Sequence, residues 1–247
     1  DLRGATAAAT ERIVTLKGVG RVGGWCADYL APYGGLYLCF DPDVVEERNT
    51  AKGASVYTHS DVGKPKVVAL QGRIARDYPR TKVLAYQRDV RGLTDREIEM
   101  LAALSDLFIV ALDDGEAMFR INRLAYPHVP CLYPAFHRRG VSGHIVVTIP
   151  GGPCLIEALG TDRPRDIHTL HGERVDSADV KRIAIETVQI ALDLLGVHGP
   201  ERDRRVMDYR WNVVRIENRI SAAGPQGTGT FFRRSEKSPG CPVCGRF

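Results

Sequence analysis

A small ordered set of residues carries the chemistry legible in this chain. Gly18, Gly20, Gly23 and Gly24 lie in Gly-Val-Gly-Arg-Val-Gly-Gly, between an apolar run and a segment of helical character. A glycine turn that opens a helix presents bare backbone N–H groups and the positive helix end to an anion, above all a phosphate. Asp41 ends the next apolar run, where a carboxylate matches the two hydroxyls of a ribose. Asp43, Asn49, Lys52 and Lys66 follow in one polar stretch. Lysines that converge on a phosphate chain stabilise the charge that grows as pyrophosphate leaves. A nicotinamide dinucleotide needs no such group of cations, so the set suits a triphosphate better. Asp113 closes the apolar run 107–112. A carboxylate there can hold Mg2+ through one oxygen while waters and phosphates complete the octahedron. Of the neighbouring pair, Asp113 is assigned to the metal and Asp114 to the cap of the helix that follows.

The elements that must position these groups alternate between strand and helix. Residues 12–16, 36–40, 82–87 and 107–112 read as strands. The last is apolar throughout, as in a parallel strand covered on both faces. Helices are expected at 24–31, stopped by Pro32, at 61–78 with Pro65 near its start, at 94–104 and at 116–125. Thr94 with Glu97 has the capping-box spacing. The alternation predicts an α/β fold, a doubly wound, Rossmann-like and mostly parallel sheet. Strands at 130–137 and 144–149 are too close in sequence for a helical crossover and predict an antiparallel extension. A well-buried helix at 179–195, ended by Gly196, and a strand at 209–216 follow; the glycine-rich stretch 221–230 reads as a loop. The chain is expected to divide into a nucleotide-binding domain over 1–200 and an extension over 201–247 packed on the same core.

Composition narrows the classes. A chain of 247 residues, 44% hydrophobic, can bury one large core. The formal charge of +4 comes from scattered arginines, with no basic stripe of the kind that tracks nucleic acid. No apolar run reaches the roughly 18 residues of a membrane span, and no signal-peptide pattern is present. Cys26, Cys39, Cys131 and Cys154 stand alone in apolar contexts, the usage of a reduced, cytoplasmic protein.

Together the glycine loop, the run Asp41-x-Asp43-x-Val45-Glu46-x-x-Asn49, the Gly63-x-Pro65-Lys66 element and Asp113 with Asn122 downstream resemble the ThiF/MoeB/HesA superfamily, whose members adenylate sulfur-carrier and ubiquitin-like proteins. The resemblance covers about residues 12–195 and the C-terminal cysteine pair. It implies ATP with its phosphates on the glycine turn and its ribose on Asp41, phosphate contacts from Asn49, Lys52 and Lys66, and Mg2+ on Asp113. It implies attack by the C-terminal glycine carboxylate of a small ubiquitin-fold partner on the α-phosphate, and a homodimer in which Arg3 or Arg12 reaches the partner's nucleotide. The attacking group is already an anion, so no general base is required, and none is evident. Four positions depart from the pattern: Arg21 replaces a small glycine, Lys52 an arginine, Gly53 a glutamine and Met118 an arginine. Arg21, Lys52 and Met118 best support a competing reading as a non-catalytic or regulatory paralogue that holds a ubiquitin-like protein or a catalytic partner subunit. Two more activities compete with these: adenylation of a tRNA-borne carboxylate for dehydration, and NAD-dependent oxidoreduction.

Cys241-Pro-Val-Cys244 is a C-x-x-C pair, half of a tetrahedral zinc site. Relatives often carry the second pair just after the sheet, where this chain has Cys154 and Glu157. The expectation is a zinc-knuckle-like tail with Zn2+ on Cys154, Cys241 and Cys244, the fourth ligand being Glu157, a histidine or water; the alternative is a metal-free pair. The crossover 160–177 contains no cysteine to take up an acyl group, and Cys26 and Cys131 read as packing residues, so adenylation without a covalent enzyme intermediate is expected. His168 and His171 read as a polar loop.

Overall fold

The structure, a computed structural model, describes residues 12–51, 55–137, 142–161, 177–197, 212–218 and 229–246. Its frame is a single sheet. Strands β1 (Ile13–Lys17), β2 (Gly35–Phe40), β3 (Thr81–Tyr86), β4 (Leu107–Val110), β5 (Cys131–His137), β6 (Ser142–Thr148), β7 (Val213–Glu217) and β8 (Gly229–Arg233) lie in the order β3-β2-β1-β4-β5-β6-β7-β8. The first five are parallel, and β5 to β8 are antiparallel. The order reverses at β1, which pairs with β2 on one side and β4 on the other; ligands of open α/β sheets collect at such a switch point.

Alternation along the central strands supplies both faces of the sheet with apolar side chains. Val14, Leu16, Leu107 and Ile109 pack on one face against α1 (Arg21–Leu30), α3 (Lys66–Asp77) and α7 (Ser177–Leu194), through residues such as Leu30, Leu70, Ile74 and Ile183. Leu38, Phe40, Phe108 and Val110 pack on the other against α4 (Asp95–Leu104) and α5 (Gly115–Ala125), through Ile98, Ile121 and Leu124. All four residues of β4 are buried, as expected of a strand covered on both faces. Two short helices, α2 (Glu47–Thr50) and α6 (Leu155–Leu159), fill the loops after β2 and β6. Among the described residues, no helix is long and apolar enough to cross a membrane.

Local chemistry accounts for most helix ends. Thr94 Oγ1 accepts from the Glu97 N–H at 3.2 Å while Glu97 Oε2 accepts from the Thr94 N–H at 2.7 Å, the reciprocal cap expected from their spacing. Asp114 Oδ1 accepts from the Ala117 N–H at 3.0 Å and caps α5. Gly196, with φ of 61°, follows α7 in the left-handed region that L side chains avoid.

Elsewhere the structure corrects the sequence reading. The helix expected over 61–78 begins only at Lys66, because Gly63 takes φ of 84° and the residue before Pro65 is pushed out of the helical region. Helix α1 starts at Arg21 rather than at residue 24, which places two glycines inside it. At Gly23 a Cβ would sit 2.0 Å from the Gly18 carbonyl oxygen, so the helix can lie on the turn only without a side chain there. Strand β4 ends at Val110, and α6 had no advance signal. The stretch 221–230 is not all loop: Gly229 and Thr230 begin edge strand β8. The rest of that stretch, together with residues 162–176, lies outside the described residues.

Candidate active site

The carboxyl ends of β1, β2 and β4 open into a cavity of about 740 Å3 at the switch point. Gly18 and Gly20 form one wall, Asp41, Asp43, Asn49 and Lys66 another, and Asp113 the far rim. Gly18 has φ of 83°, and a Cβ there would lie 2.5 Å from the Ala111 carbonyl oxygen of the loop after β4. At Gly20 a Cβ would meet nothing within 4 Å, although the residue lines the cavity. That space suits close approach of a ligand to the backbone. Helix α1 has no side-chain cap and no acidic residue in its first turn, the condition in which an N-terminus can receive an outside anion.

Asp41 is the hub of the wall. It is buried; one carboxylate oxygen accepts from the Val19 N–H at 2.8 Å and the other from the Asp43 N–H at 3.0 Å. It therefore ties the glycine turn to the loop after β2 before any ligand arrives. Burial raises its pKa, against the opposing pull of Lys66 and the two N–H donors. Each carboxylate oxygen has a second lone pair, so ribose hydroxyls can still be accepted. Lys66 is also buried, with Nζ 2.6 Å from Asp43 Oδ2 and 4.0 Å from Asp41 Oδ1. It is thus a preset ammonium whose main partner, Asp43, is largely solvent-exposed and can be exchanged for a phosphate.

Asn49 sits on α2, where Oδ1 accepts from the Glu46 N–H at 2.8 Å, so its amide NH2 is the group it can turn to an anion. Asp113 lies at the rim beside the Arg91 side chain, which is 3.7 Å from Asp114 Oδ2. Lys52 and Gly53 lie outside the described residues. Met118 is buried in the core of α5 and takes no part in the cavity. The reading of the sequence missed Arg48, Arg88 and Arg91, which also line the cavity. Arg48 lay inside the polar run and was legible as a further cation; the other two follow β3 in a loop whose path only the fold sets.

A second cluster lies behind α5. Cys154, Cys241 and Cys244 are buried, and their sulfurs lie within 4.8 Å of one another. The Cys154–Cys241 sulfur separation is 3.6 Å. Tetrahedral Zn–S bonds of about 2.3 Å place sulfurs roughly 3.7–3.8 Å apart, so the three thiols fit a zinc ion. The approach of Cys154 is set by buried Asn122, whose Oδ1 accepts from the Leu155 N–H at 3.1 Å at the start of α6. Glu157 is not among the groups that converge. Purified protein is expected to carry about one zinc per chain by elemental analysis, and Cys241→Ser to lose the metal and several degrees of melting temperature; unchanged stability with zinc near zero would remove the site. Cys26 and Cys131 are fully buried, and burial pushes each thiol up to about 12, which makes both poor nucleophiles.

A sheet that is parallel in its first half, with such a crevice at its switch point, is the architecture of nucleotide-binding α/β proteins. The chain belongs to the ThiF family, whose model matches residues 5–242. No curated protein matches it by sequence. Among solved structures it is similar to E. coli MccB with ATP, at 15% identity and a TM-score of 0.76, over 98% of this chain and 69% of that one. It is similar to the microcin C7 biosynthetic enzyme MccB in complex with N-formylated MccA, at 14% identity and a TM-score of 0.76, over 98% and 70%. It is also similar to PaaA, at 19% identity and a TM-score of 0.67, over 95% and 67%.

Proposed function

We propose that this protein is an ATP-dependent adenylyltransferase acting on the C-terminal carboxylate of a polypeptide, a ubiquitin-like or sulfur-carrier protein. The observation that carries the reading is the convergence, on one cavity at the β1–β4 switch point, of the glycine turn, Asp41 and Lys66. The ATP-bound state of MccB supports the choice of nucleotide. In this reading the glycine turn and the start of α1 receive phosphates, and Asp41 orients the ribose. Lys66 leaves Asp43 to stabilise charge on the phosphate chain, with Lys52 and the Asn49 amide as further contacts. Asp113 would hold Mg2+, which supplies charge neutralisation for the leaving pyrophosphate. The substrate carboxylate forms a bond to the α-phosphorus, the bond to the bridging oxygen breaks, and pyrophosphate departs, leaving an acyl-adenylate. No residue of the chain is required as a base. We further read the working form as a homodimer in the cytoplasm, with Arg3 or Arg12 of one subunit serving the other's nucleotide.

The likeness to MccB with N-formylated MccA supports a second acyl substrate, a short peptide. One experiment separates these readings. Labelled pyrophosphate should exchange into ATP only when an acceptor carboxylate is present, tested with a ubiquitin-fold protein ending in glycine and with a short peptide. Exchange with the first supports the carrier reading and exchange with the second the peptide reading. Acceptor binding without exchange would show a non-catalytic paralogue.

A further inference from the structure

Four arginines that the adenylation scheme does not employ line the cavity, Arg21, Arg48, Arg88 and Arg91, and the first two lie within each other's electrostatic reach. Arg21 is the first residue of α1, at the edge of the glycine turn, and Arg48 lies on α2; both line the cavity. A cation at the first position of a helix meets the positive end of the macrodipole, an arrangement that costs stability unless an anion lies between. The half-buried Arg21 guanidinium is held below its ordinary pKa by burial and, after that, by the charge of Arg48. Two like charges therefore face one space. Arg48 is braced from behind: its Nε lies 2.5 Å from Glu46 Oε2, and its terminal NH2 donates to Glu46 Oε1 at 3.1 Å. Glu46 in turn caps α2. The brace orients the fork, and the open space beside Gly20 lies next to Arg21.

We infer that Arg21 and Arg48 form a guanidinium clasp for the outer phosphates of the nucleotide, and that this clasp is what distinguishes a triphosphate from a monophosphate here. Planar guanidinium forks match phosphate oxygens two at a time, which a lysine cannot do. The inference rests on the nucleotide reading of the same cavity. It also assigns a role to the departure at position 21: the side chain is a ligand for phosphate rather than an obstruction.

Titration calorimetry of the full chain with α,β-methylene ATP and with AMP tests the idea. Asp41 and the glycine turn address the ribose and α-phosphate that both ligands share. The wild-type chain should bind the triphosphate more tightly than AMP. Arg21→Gln and Arg48→Gln should each weaken the triphosphate about tenfold to a hundredfold and leave AMP within twofold. Equal losses for both ligands would overturn the clasp, as would no loss for either. Tighter triphosphate binding by Arg21→Gln would also overturn it and show that Arg21 fills the phosphate space. A wild-type chain that binds neither ligand would overturn the nucleotide reading itself, and the clasp with it. Arg21→Ala and Arg48→Ala provide second variants, and melting curves identify any that fail to fold.

Discussion

Lys66→Met is expected to slow acceptor-dependent pyrophosphate exchange by about a hundredfold to a thousandfold while the chain stays folded. The magnitude is that of removing one preorganised charge donor from a developing anion. In the proposed scheme Lys66 is such a donor. Its side chain is nearly enclosed and its ammonium is held at 2.6 Å from Asp43 before any ligand binds, so little reorganisation remains for the reaction. Methionine keeps the length of the stem and its packing at the start of α3 but removes the charge. Asp41 keeps its two backbone donors in the variant, so the glycine turn stays anchored. Losing the opposing ammonium moves the Asp41 pKa further upward, in the direction burial already drives it. The measurement is the exchange rate at saturating acceptor, with thermal melting as the fold control. A loss below about threefold would remove Lys66 from the chemistry.

Lys17→Met should stabilise the chain by about 3 kcal/mol at pH 6, with a gain that fades as the pH rises toward 10. Lys17 ends β1 immediately before the glycine turn and is fully buried, and among the described residues its Nζ has no hydrogen-bond partner. It lies 3.5 Å from the centroid of the Phe40 ring, which offers the charge only modest compensation. Burial, then the charge of Arg88, lowers its pKa from 10.5 to about 7. The sign follows from proton counting. Between about 7 and 10.5 the unfolded chain binds a proton that the folded chain does not, so stability of the wild type rises with pH across that window. Below about 7 both states are protonated and the whole cost of burying the charge is present. Methionine has nothing to titrate, so it removes both the cost and the slope. Melting temperatures of the two chains from pH 5 to 10 check this, and parallel curves would show that folding leaves the Lys17 pKa where it is in the unfolded chain.

Short-range rules made much of the architecture legible in the sequence. The unbroken apolar run at Leu107–Leu112, the box formed by Thr94 and Glu97 and the stop at Gly196 each depend on neighbours within a few residues; the box and the stop stand in the structure, and the run forms a strand that is two residues shorter, Leu107–Val110. The change from parallel to antiparallel pairing after β5 was readable because the link to the next strand is too short for a crossover. Edge strand β8 was not, since its Gly-Thr-Phe-Phe-Arg sequence has little burial to impose a pattern.

The cavity divides in the same way. The glycines, Asp41, Asp43, Asn49 and Lys66 lie along one continuous stretch, so a candidate phosphate site could be read from their types and order; Gly18, Gly20, Asp41, Asp43, Asn49 and Lys66 line the cavity, and Gly23 and Gly24 do not. The meeting of Asp113 with that stretch, the partnership of Cys154 with Cys241 and Cys244, the presence of Arg21 and Arg48 on one cavity and the enclosure of Lys17 under Phe40 depend on which elements the sheet brings side by side. Residue type and local spacing state what a group can do. Burial and the company of distant charges set whether it carries a proton, a partner or a ligand, and those are properties of the packed chain.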